Sequence, residues 1–441
     1  MKRILDNLHA SSMNRRTLLT GAAALGAASL ATSVPRAFGQ TKQIRFLNAE
    51  PSRESVAVLQ KAAADYESQT GVSVTIDTVP PGEAWAKLQA SIASGQPYDI
   101  ATLAFAAHVA LLAGDDMLVP LNDLVQKHEW GPRILFPIND QYYWYPYDYN
   151  LCWMYYRKDL YAEKGLSVPE NQAQMLENCT ALTSDNRFGV MHPLGNNSAA
   201  QWMSLGYMWA NDVNIIDDSW NVVLDNDVMK PRAIAYLDFM KSLSGTMPPG
   251  LTQAEFATAL AQFSSDQVAH APYAGRMIEY LEQKAPDMVE NVGYFTFPSE
   301  SGEKRAINHG YDGWVVLKTG MSEEAVKFLD WLTTDRYVDF LHTAPLHFQP
   351  ARLDIYEDAK WRSNPLIQKH AEFIEFQKDL LDDDDLIIRS VDTQGPAPDV
   401  RQGKLFEAYG IPEAWQLRLL QDVPAAEALE RGAELYRKAL A

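Results

Sequence analysis

The most restrictive feature of this sequence is a regular alternation of strand-like and helix-like patterns near its start. Residues 43–48 and 72–79 alternate between apolar and polar side chains as strands do, and residues 98–103, after Pro97, are predicted as a third strand. Apolar side chains at helical spacing fill the two intervals between these segments. A β-α-β-α-β order predicts a mostly parallel sheet with helices on both faces, and the ligands of such open sheets lie beyond the carboxyl ends of the strands.

The rest of the chain continues this mixed α/β pattern. Pro51 and Ser52 should begin the first helix, and Gly71 should end it. The C-terminal third is mainly helical in pattern. The other predicted elements are helices at residues 203–209, 233–243, 325–332 and 425–440, and strands at residues 289–297 and 315–317.

The densest aromatic stretch, residues 142–149, runs directly into an apolar strand pattern at residues 151–156. We predict a hairpin followed by a buried strand in this region. Because alternate side chains of a strand point to opposite faces, about half of these rings should fill the core. The other rings should line a wet, partly apolar cleft.

Length and charge limit the function of the chain. It has 441 residues, which predicts two or three domains, and 38 basic against 57 acidic residues give a net charge of −19. A nucleic-acid-binding surface needs basic residues, so the charge argues against a nucleic-acid partner. Cys152 and Cys179 do not form a zinc motif, and the sequence is compatible both with a disulfide between them and with two separate buried thiols.

Residues 1–39 have the three regions of an export signal. Arg15 and Arg16 belong to a basic start, an uncharged run rich in small residues covers 17–35, and small residues precede a cleavage position before Gln40. The segment around the two arginines is typical of a twin-arginine signal peptide. Its removal takes away five basic residues and one acidic residue, so we expect a soluble periplasmic protein of net charge −23.

A series of short motifs follows in a consistent order. Y-E-S-Q-T-G at residues 66–71 and I-A-S-G-Q-P-Y-D-I at residues 92–100 are the first two. Together the motifs resemble those of the extracellular solute-binding proteins of ABC importers, and most of all those of the carbohydrate-binding family 1. Arg157, His270 and Arg276 depart from the residues that are common in that family. The later motifs lie at residues 155–166, 268–276, 310–314, 324–332, 345–352 and 423–429.

The resemblance implies a two-lobe α/β fold of the periplasmic-binding-protein type II, with a hinge and a ligand between the lobes. Each lobe would be a mainly parallel sheet flanked by helices. It also implies a monomeric, non-catalytic receptor without a cofactor, which carries a sugar or sugar derivative to the membrane permease subunits of an ABC importer.

The same resemblance implies where the lobes begin and end. The chain would cross between them near residues 149–153, 292–298 and 346–352. The N-terminal lobe would then comprise residues 40–150 and 297–346, and the C-terminal lobe residues 151–295 and 347–441.

A sugar presents hydroxyl groups and apolar C–H faces to its receptor. A site for it therefore needs aromatic rings to stack on, and planar acids, amides and arginines that bond neighbouring hydroxyls. We expect these side chains on loops at strand ends and at the lobe crossings. The ligand-binding candidates are Asn48, Glu50, Arg53, Thr102, Phe105, His108, Asp148, Asn150, Asn196, Asn197, Trp202, Tyr273, Arg276, Tyr311, Asp312, Trp314, His347, Gln349 and Arg352.

Some candidates also have a purely structural interpretation. Glu50 and Arg53 are equally compatible with the first turn of a helix. Trp314 is compatible with packing in the core, and Asn197 with an ordinary turn. Asp99 is excluded from the candidates because a loop aspartate at such a position commonly bonds the backbone.

The class of ligand stays open at this stage. If Arg276 and Arg352 both face the cleft, the ligand should carry a sulfonate, phosphate or carboxylate. The acidic charge and the aromatic residues make a polyamine an alternative ligand. A periplasmic polysaccharide-active enzyme is a further alternative, although the sequence shows no catalytic motif for it. The acidic run at residues 382–385 lacks the spacing of a calcium loop, so we predict no metal site.

Overall fold

The strands of this protein form four sheets in the computed structural model, which describes residues 42–441. The export signal predicted over residues 1–39 lies outside the described residues. In chain order the strands are β1 (Gln43–Asn48), β2 (Ser73–Thr78), β3 (Ile100–Leu103), β4 (Tyr145–Pro146), β5 (Asp148–Tyr149), β6 (Trp153–Arg157), β7 (Phe188–Val190), β8 (Val268–Tyr273), β9 (Val292–Phe295), β10 (Phe297–Pro298), β11 (Arg305–Asn308), β12 (Gly313–Val316), β13 (Gln349–Pro350) and β14 (Leu386–Arg389).

Helices cover the faces of these sheets and make up most of the C-terminal third of the chain. Within the described residues, none of them is both long enough and apolar enough to cross a membrane. In chain order the helices are α1 (Arg53–Thr70), α2 (Pro81–Ala93), α3 (Ala106–Gly114), α4 (Asn122–Val125), α5 (Lys158–Lys164), α6 (Gln172–Leu182), α7 (Ser198–Met203), α8 (Gly206–Ala210), α9 (Met229–Ser244), α10 (Phe256–Ser264), α11 (Arg276–Lys284), α12 (Ser322–Asp335), α13 (Tyr337–Leu341), α14 (Ala359–Arg362), α15 (Pro365–Lys369), α16 (Ala371–Asp382), α17 (Val400–Ala408), α18 (Gly410–Trp415) and α19 (Ala425–Leu440).

The first sheet has the strand order β2-β1-β3-β12-β4. Its N-terminal half confirms the predicted β-α-β-α-β unit, because β1 pairs in parallel with both β2 and β3. The hydroxyl of Ser52 accepts a hydrogen bond from the Ser55 amide at the start of α1, and Gly71 ends that helix at φ 75°. β12 and β4 arrive from distant parts of the chain and join in antiparallel orientation.

The second sheet has the order β7-β8-β6-β9. β6 pairs antiparallel with both β8 and β9, and only β7 and β8 run in parallel. The prediction of a mainly parallel sheet in each lobe is therefore wrong, since both large sheets are mixed. The alternation of apolar and polar residues predicts where strands lie, but not which strands pair. β6 is far from β8 and β9 in sequence, so their pairing follows from the long-range path of the chain.

The aromatic stretch does not form the predicted hairpin. Its first strand, β4, joins β12 in the first sheet, whereas β5 pairs with β13 in a separate two-stranded ladder. β6 then enters the second sheet, so this short segment carries the chain from one large sheet to the other. The rings from Trp144 to Tyr155 are buried in the core, and none of them lines the main cavity described below.

Several other predictions can be compared directly with the elements. The helix predicted at residues 425–440 is α19, and the one predicted at 233–243 lies inside α9. The segment predicted as one helix at residues 203–209 falls at the junction of α7 and α8, with a break between them. Cys152 and Cys179 are both buried free thiols, so the disulfide alternative is wrong.

A neutral histidine lies at the centre of the second sheet. His270 on β8 is fully buried, with Nδ1 2.7 Å from the carbonyl oxygen of Gly189 and Nε2 2.7 Å from the hydroxyl of Tyr161. The carbonyl can only accept, so Nδ1 carries the proton and Nε2 accepts from the tyrosine. Burial lowers the pKa of His270 to about 4, although the hydrogen bond to Gly189 acts in the opposite direction.

We therefore expect His270 to make the protein sensitive to acid. The unfolded chain binds a proton on this histidine below about pH 6.5, whereas the folded protein does so only near pH 4. Its contribution to the free energy of unfolding is complete above pH 6.5 and falls by up to about 1.4 kcal/mol per pH unit as the pH drops towards 4. Urea unfolding between pH 4 and pH 7.5 should show a shallower pH slope for His270→Gln than for the unmodified protein. Equal slopes would contradict this assignment.

Candidate functional site

A cavity of about 680 Å³ opens beyond the carboxyl ends of β1, β3 and β8, where both large sheets contribute to its walls. This is the position that the sheet topology predicts for a ligand site. The cavity is lined by Glu50, Pro51, Ser52, Arg53, Glu54, Pro81, Ala104, Phe105, Asn150, Trp202, Phe256, Ala257, Leu260, Tyr273, Arg276, Glu279, Tyr280, Gln283, Lys284, Gly310, Asp312, Thr343 and His347.

The structure brings about half of the candidate residues together in this cavity. Some come from the first sheet and its loops, others from the crossing segment and from the helices beside the second sheet. Their role in binding remains a prediction. The candidates that line the cavity are Glu50, Arg53, Phe105, Asn150, Trp202, Tyr273, Arg276, Asp312 and His347.

Other candidates lie close to the cavity without lining it. Thr102, His108, Asn196 and Asn197 line a neighbouring cavity of about 230 Å³, to which Phe105 also contributes. Tyr311 borders a small gap behind Trp202 and Phe105. These residues are therefore placed to support the walls of the main cavity.

A third group of candidates is built into the fold. The side chain of Asn48 is buried. It donates to the carbonyl oxygen of Glu50 at 2.8 Å and accepts from the Glu50 amide at 3.1 Å. Trp314 is fully buried, with its ring centroid 4.6 Å from that of Tyr147. Gln349 donates to the backbone carbonyls of the segment before it. Placing these three side chains in the cavity was wrong, because β1, β12 and β13 direct them into the core.

Arg352 also lies outside the cavity. Its guanidinium pairs with Asp354, donates to the carbonyl oxygen of Thr333 at 3.0 Å and lies over the ring of Tyr337. The condition for an anionic ligand, that both Arg276 and Arg352 face the cleft, is therefore not met. Asp99, which was excluded, bonds the backbone as predicted and accepts from the amide of Arg45 at 2.7 Å.

An ion pair joins the two sides of the cavity. The guanidinium of Arg276, in the first turn of α11, lies 2.8 Å from Glu50 in the loop after β1. The Glu50 side chain is 6% exposed and that of Arg276 21% exposed, so the pair is largely removed from water. Glu50 precedes the N-cap of α1, so the first-turn interpretation of this residue is wrong.

Further carboxyl groups lie next to this pair. Burial raises the pKa of Glu279 to about 7, although Arg276 and the hydrogen bonds from the amides of Leu346 and His347 lower it. Burial and the charge of Glu50 raise the pKa of Asp312 to about 8, against the effect of its bond from Asn150. Burial is therefore the main reason that these carboxyl groups hold protons close to neutral pH.

The backbone beside His347 is held very tightly to α11. A carboxylate oxygen of Glu279 accepts from the amides of Leu346 and His347 at 2.7 and 3.2 Å. Gly275 precedes the helix, and a Cβ atom at this position would lie 1.7 Å from the carbonyl oxygen of Leu346. Glycine is therefore required for this close approach of the two backbones.

Two aspartates and a histidine meet at the floor of the cavity. Asp148 accepts a hydrogen bond from the amide of Asp312 at 2.8 Å. One potential ligand atom from each of Asp148, Asp312 and His347 lies within 4.8 Å of the other two. These three buried side chains could hold a metal ion.

The face of α11 that lines the cavity was not predicted from the sequence, apart from Arg276. Glu279, Tyr280 and Gln283 line the cavity together with Arg276, at spacings of three, four and seven residues along α11. That spacing places side chains on a single helix face. Because Arg276 was already a candidate just after a strand, the same spacing could have identified the other three. Phe256, Ala257 and Leu260 on α10 form a second missed wall.

We expect Glu50 and Arg276 to depend on each other energetically. Breaking a largely buried ion pair leaves the remaining charge without a partner, so Arg276→Met should lower the free energy of unfolding by about 3–5 kcal/mol. Glu50→Gln should also be destabilising, and the double variant should be less destabilised than the sum by about 1 kcal/mol or more. Urea unfolding followed by tryptophan fluorescence measures all three values.

Arg53 provides the matched control for this cycle, because it lines the same cavity and shows no ion pair among the described residues. Arg53→Met should change the free energy of unfolding by no more than about 0.5 kcal/mol. Additive effects of the Glu50 and Arg276 changes would show that the pair makes no net contribution.

Solved structures of other proteins share this fold. A solute-binding protein of an ABC transporter from Thermotoga lettingae TMO superposes with a TM-score of 0.71 at 17% identity, over 91% of this chain and 100% of the other. MalE3 of T. maritima gives 0.72 at 19% identity, over 90% and 99%. A sugar transporter protein from Arthrobacter chlorophenolicus A6 gives 0.75 at 14% identity, over 90% and 99%. These similarities confirm the two-lobe α/β fold of periplasmic binding proteins.

Sequence comparisons agree with the structural ones. This chain is 23% identical over 222 residues to YcjN of Escherichia coli (strain K12), a protein that is described by similarity as an ABC transporter periplasmic-binding protein. That match spans about half of each protein, 49% of this chain and 49% of YcjN. The family profile described as bacterial extracellular solute-binding protein matches residues 50–339, which is more than half of the chain. The chain therefore belongs to the bacterial extracellular solute-binding protein family.

Proposed function

We propose that this protein is the substrate-binding component of an ABC importer, which captures a sugar or sugar derivative and delivers it to membrane permease subunits. The observation that carries the proposal is the cavity between the two sheets, because its walls combine aromatic rings with acids, amides and two arginines. Its volume of about 680 Å³ lies within the range of small-molecule sites.

Three aromatic rings of the cavity form a connected wall. The rings of Trp202 and Tyr273 meet edge to face at a centroid distance of 5.5 Å, and Phe256 packs against Trp202 at 5.8 Å. The indole nitrogen of Trp202 donates to the carbonyl oxygen of Asn150 at 3.2 Å, which fixes the orientation of this ring. Fixed rings offer flat apolar surfaces for the C–H faces of a sugar.

The polar side chains of the cavity suit hydroxyl groups. The Asn150 side chain donates to Asp312 at 3.1 Å, and its own side-chain oxygen has no partner. Buried polar atoms are normally hydrogen-bonded, so this oxygen is available to a ligand hydroxyl. Glu50, Arg276 and Asp312 add acceptors and donors on both sides of the cavity.

Ligands of the structural relatives support a carbohydrate. The Thermotoga lettingae protein was solved with α-D-tagatose, MalE3 with maltose and the Arthrobacter protein with laminaribiose. An anionic group on the ligand is not part of our proposal, because Arg276 is paired with Glu50 and Arg352 lies outside the cavity.

The proposed lobes are residues 40–150 with 297–346, and residues 151–295 with 347–441. The two large sheets support this division, because β1 to β4 and β12 form the first whereas β6 to β9 form the second. The two smaller sheets cross it, since β11 pairs with β14 and β5 pairs with β13. In this proposal the lobes close when the closed form binds the ligand more tightly than the open form does. Polar groups from both lobes must then contact the same ligand.

Export is part of the same proposal. We propose that residues 1–39 are a twin-arginine signal peptide and that the mature protein acts as a monomer in the periplasm. The sequence pattern of residues 1–39 and the extracellular character of the family support this location. A cytoplasmic location of a full-length fusion to a reporter would contradict it.

A polyamine is the second candidate ligand. The cavity carries four acidic residues, Glu50, Glu54, Glu279 and Asp312, against three basic ones, and its aromatic wall suits an ammonium group. We propose that the protein is not an enzyme. Asp148, the closest carboxyl neighbour of Asp312, does not line the cavity and is engaged with the Asp312 amide, so the two do not flank a substrate as a hydrolase pair would.

Ligand screening by thermal shift tests the proposal. A ligand that binds only the folded protein raises the melting temperature, by an amount that grows with its concentration. We expect a saturable shift with at least one mono- or oligosaccharide and none with spermidine or putrescine. A shift with polyamines alone would favour the second candidate, and release of reducing ends from a glycan would identify an enzyme.

We also expect Phe105→Ala and Tyr273→Ala to weaken binding of that sugar at least about tenfold, because each removes a ring worth about 1.5 kcal/mol in contact with the ligand. Isothermal titration calorimetry measures the change. Tyr142→Ala is the matched control, since this partly buried ring lies outside the cavity. Arg352→Ala should reduce stability and leave the affinity unchanged. Unaltered affinity in both Phe105→Ala and Tyr273→Ala would refute the site.

A further inference from the structure

We propose that Asp148, Asp312 and His347 form a binding site for a divalent transition-metal ion at the floor of the cavity. Neither the family nor the ligands of the structural relatives indicate such a site. It brings together three segments that are distant in sequence: β5, the loop before β12 and the loop before β13.

The distances fit a metal ion. One ligand atom from each side chain lies within 4.8 Å of the other two. Two ligand atoms of one divalent ion lie at most about 4–5 Å apart, because each bond is about 2.0–2.4 Å long. The three side chains can therefore surround one ion with small rotations.

Two buried atoms of the site have no hydrogen-bond partner among the described residues. Asp148 is fully buried, and its Oδ2 has no hydrogen-bond partner, whereas Oδ1 accepts from the Asp312 amide. His347 is 5% exposed, and its Nδ1 also has no partner. Leaving such atoms unpaired costs free energy, and a cation would satisfy both at once.

The carboxyl groups of the site have no cationic hydrogen-bond partner among the described residues. The guanidinium of Arg276 bonds Glu50 at 2.8 Å rather than Asp148 or Asp312. The side-chain amide of Asn150 contacts Asp312 and leaves its own oxygen without a partner. A metal ion that displaces the protons of Asp148 and Asp312 would therefore meet two carboxylates, next to an amide oxygen without a partner.

The donor atoms indicate the kind of ion. Two carboxylate oxygens and one imidazole nitrogen suit Zn²⁺ or Mn²⁺ better than Ca²⁺, which prefers six to eight oxygen ligands.

The position of the site couples it to the cavity. Asp312 and His347 both line the cavity, whereas Asp148 lies beneath it. A metal held by three protein ligands keeps open coordination positions, and here these would face the cavity. If the proposed function is correct, oxygen atoms of the captured ligand could occupy them.

Metal titration of the protein without an affinity tag tests this site. After treatment with EDTA and removal of the chelator, calorimetry with Zn²⁺ and with Mn²⁺ should show one binding site for at least one of the two ions. Asp312→Asn and His347→Gln should each weaken that binding at least tenfold. Glu54→Gln is the matched control, because Glu54 lines the same cavity outside the cluster, and it should leave the affinity unchanged.

Co²⁺ provides a second readout, which reports directly on the ligands of the ion. A bound Co²⁺ ion should give visible absorption bands that disappear in His347→Gln, provided that circular dichroism shows the variant to be folded. Absence of binding by Zn²⁺, Mn²⁺ and Co²⁺, or equal binding by both cluster variants and the unmodified protein, would overturn the proposal.

The metal site and the proposed function can fail separately. Sugar-induced thermal shifts are measured on the EDTA-treated protein with and without added Mn²⁺. Sugar binding without any metal binding would overturn the metal site and leave the proposed function intact. Metal binding without any sugar binding would support the site and refute the proposed function.

Discussion

The structure of the cleft depends on an ion pair that is buried between the two large sheets. Burying either charge alone would cost free energy. Arg276 and Glu50 approach from opposite walls and neutralise each other at 2.8 Å, with little exposure to water. Burial raises the pKa values of the neighbouring carboxyl groups Glu279 and Asp312, although the charge of Arg276 acts in the opposite direction. The same interaction connects the loop after β1 to α11, so the electrostatics of the cleft and the relative position of its walls are not independent.

The sequence was sufficient to predict those elements that depend on local patterns of residues. The strand at residues 43–48, the cap at Ser52, the left-handed end of the first helix at Gly71 and the last helix at residues 425–440 all depend on neighbouring side chains, and the structure confirms them. The family motifs added the two-lobe fold. Strand direction in the second sheet was not predictable in this way, because β6 finds β8 and β9 more than a hundred residues further along the chain.

The candidate site shows the same division. Glu50, Phe105 and Asp312 were identified because they follow or precede strands, and the carboxyl ends of strands meet in the cavity. Trp314 and Arg352 were misplaced because residue type alone does not reveal which face of a strand or crossing points inward. The grouping of Asp148, Asp312 and His347 is invisible in the sequence, since 164 and 35 residues separate these positions.

The attachment of the last crossing segment has a mechanical consequence. Glu279 and the close contact at Gly275 bind the backbone of Leu346 and His347 to α11, while only two residues later Gln349 pairs with Tyr149 in β5. Phe348 is the single residue between these two anchors. A pivot with so little free chain cannot absorb a large rotation by itself. Any wide opening of the cleft must therefore either bend other connections between the two large sheets or release one of these anchors.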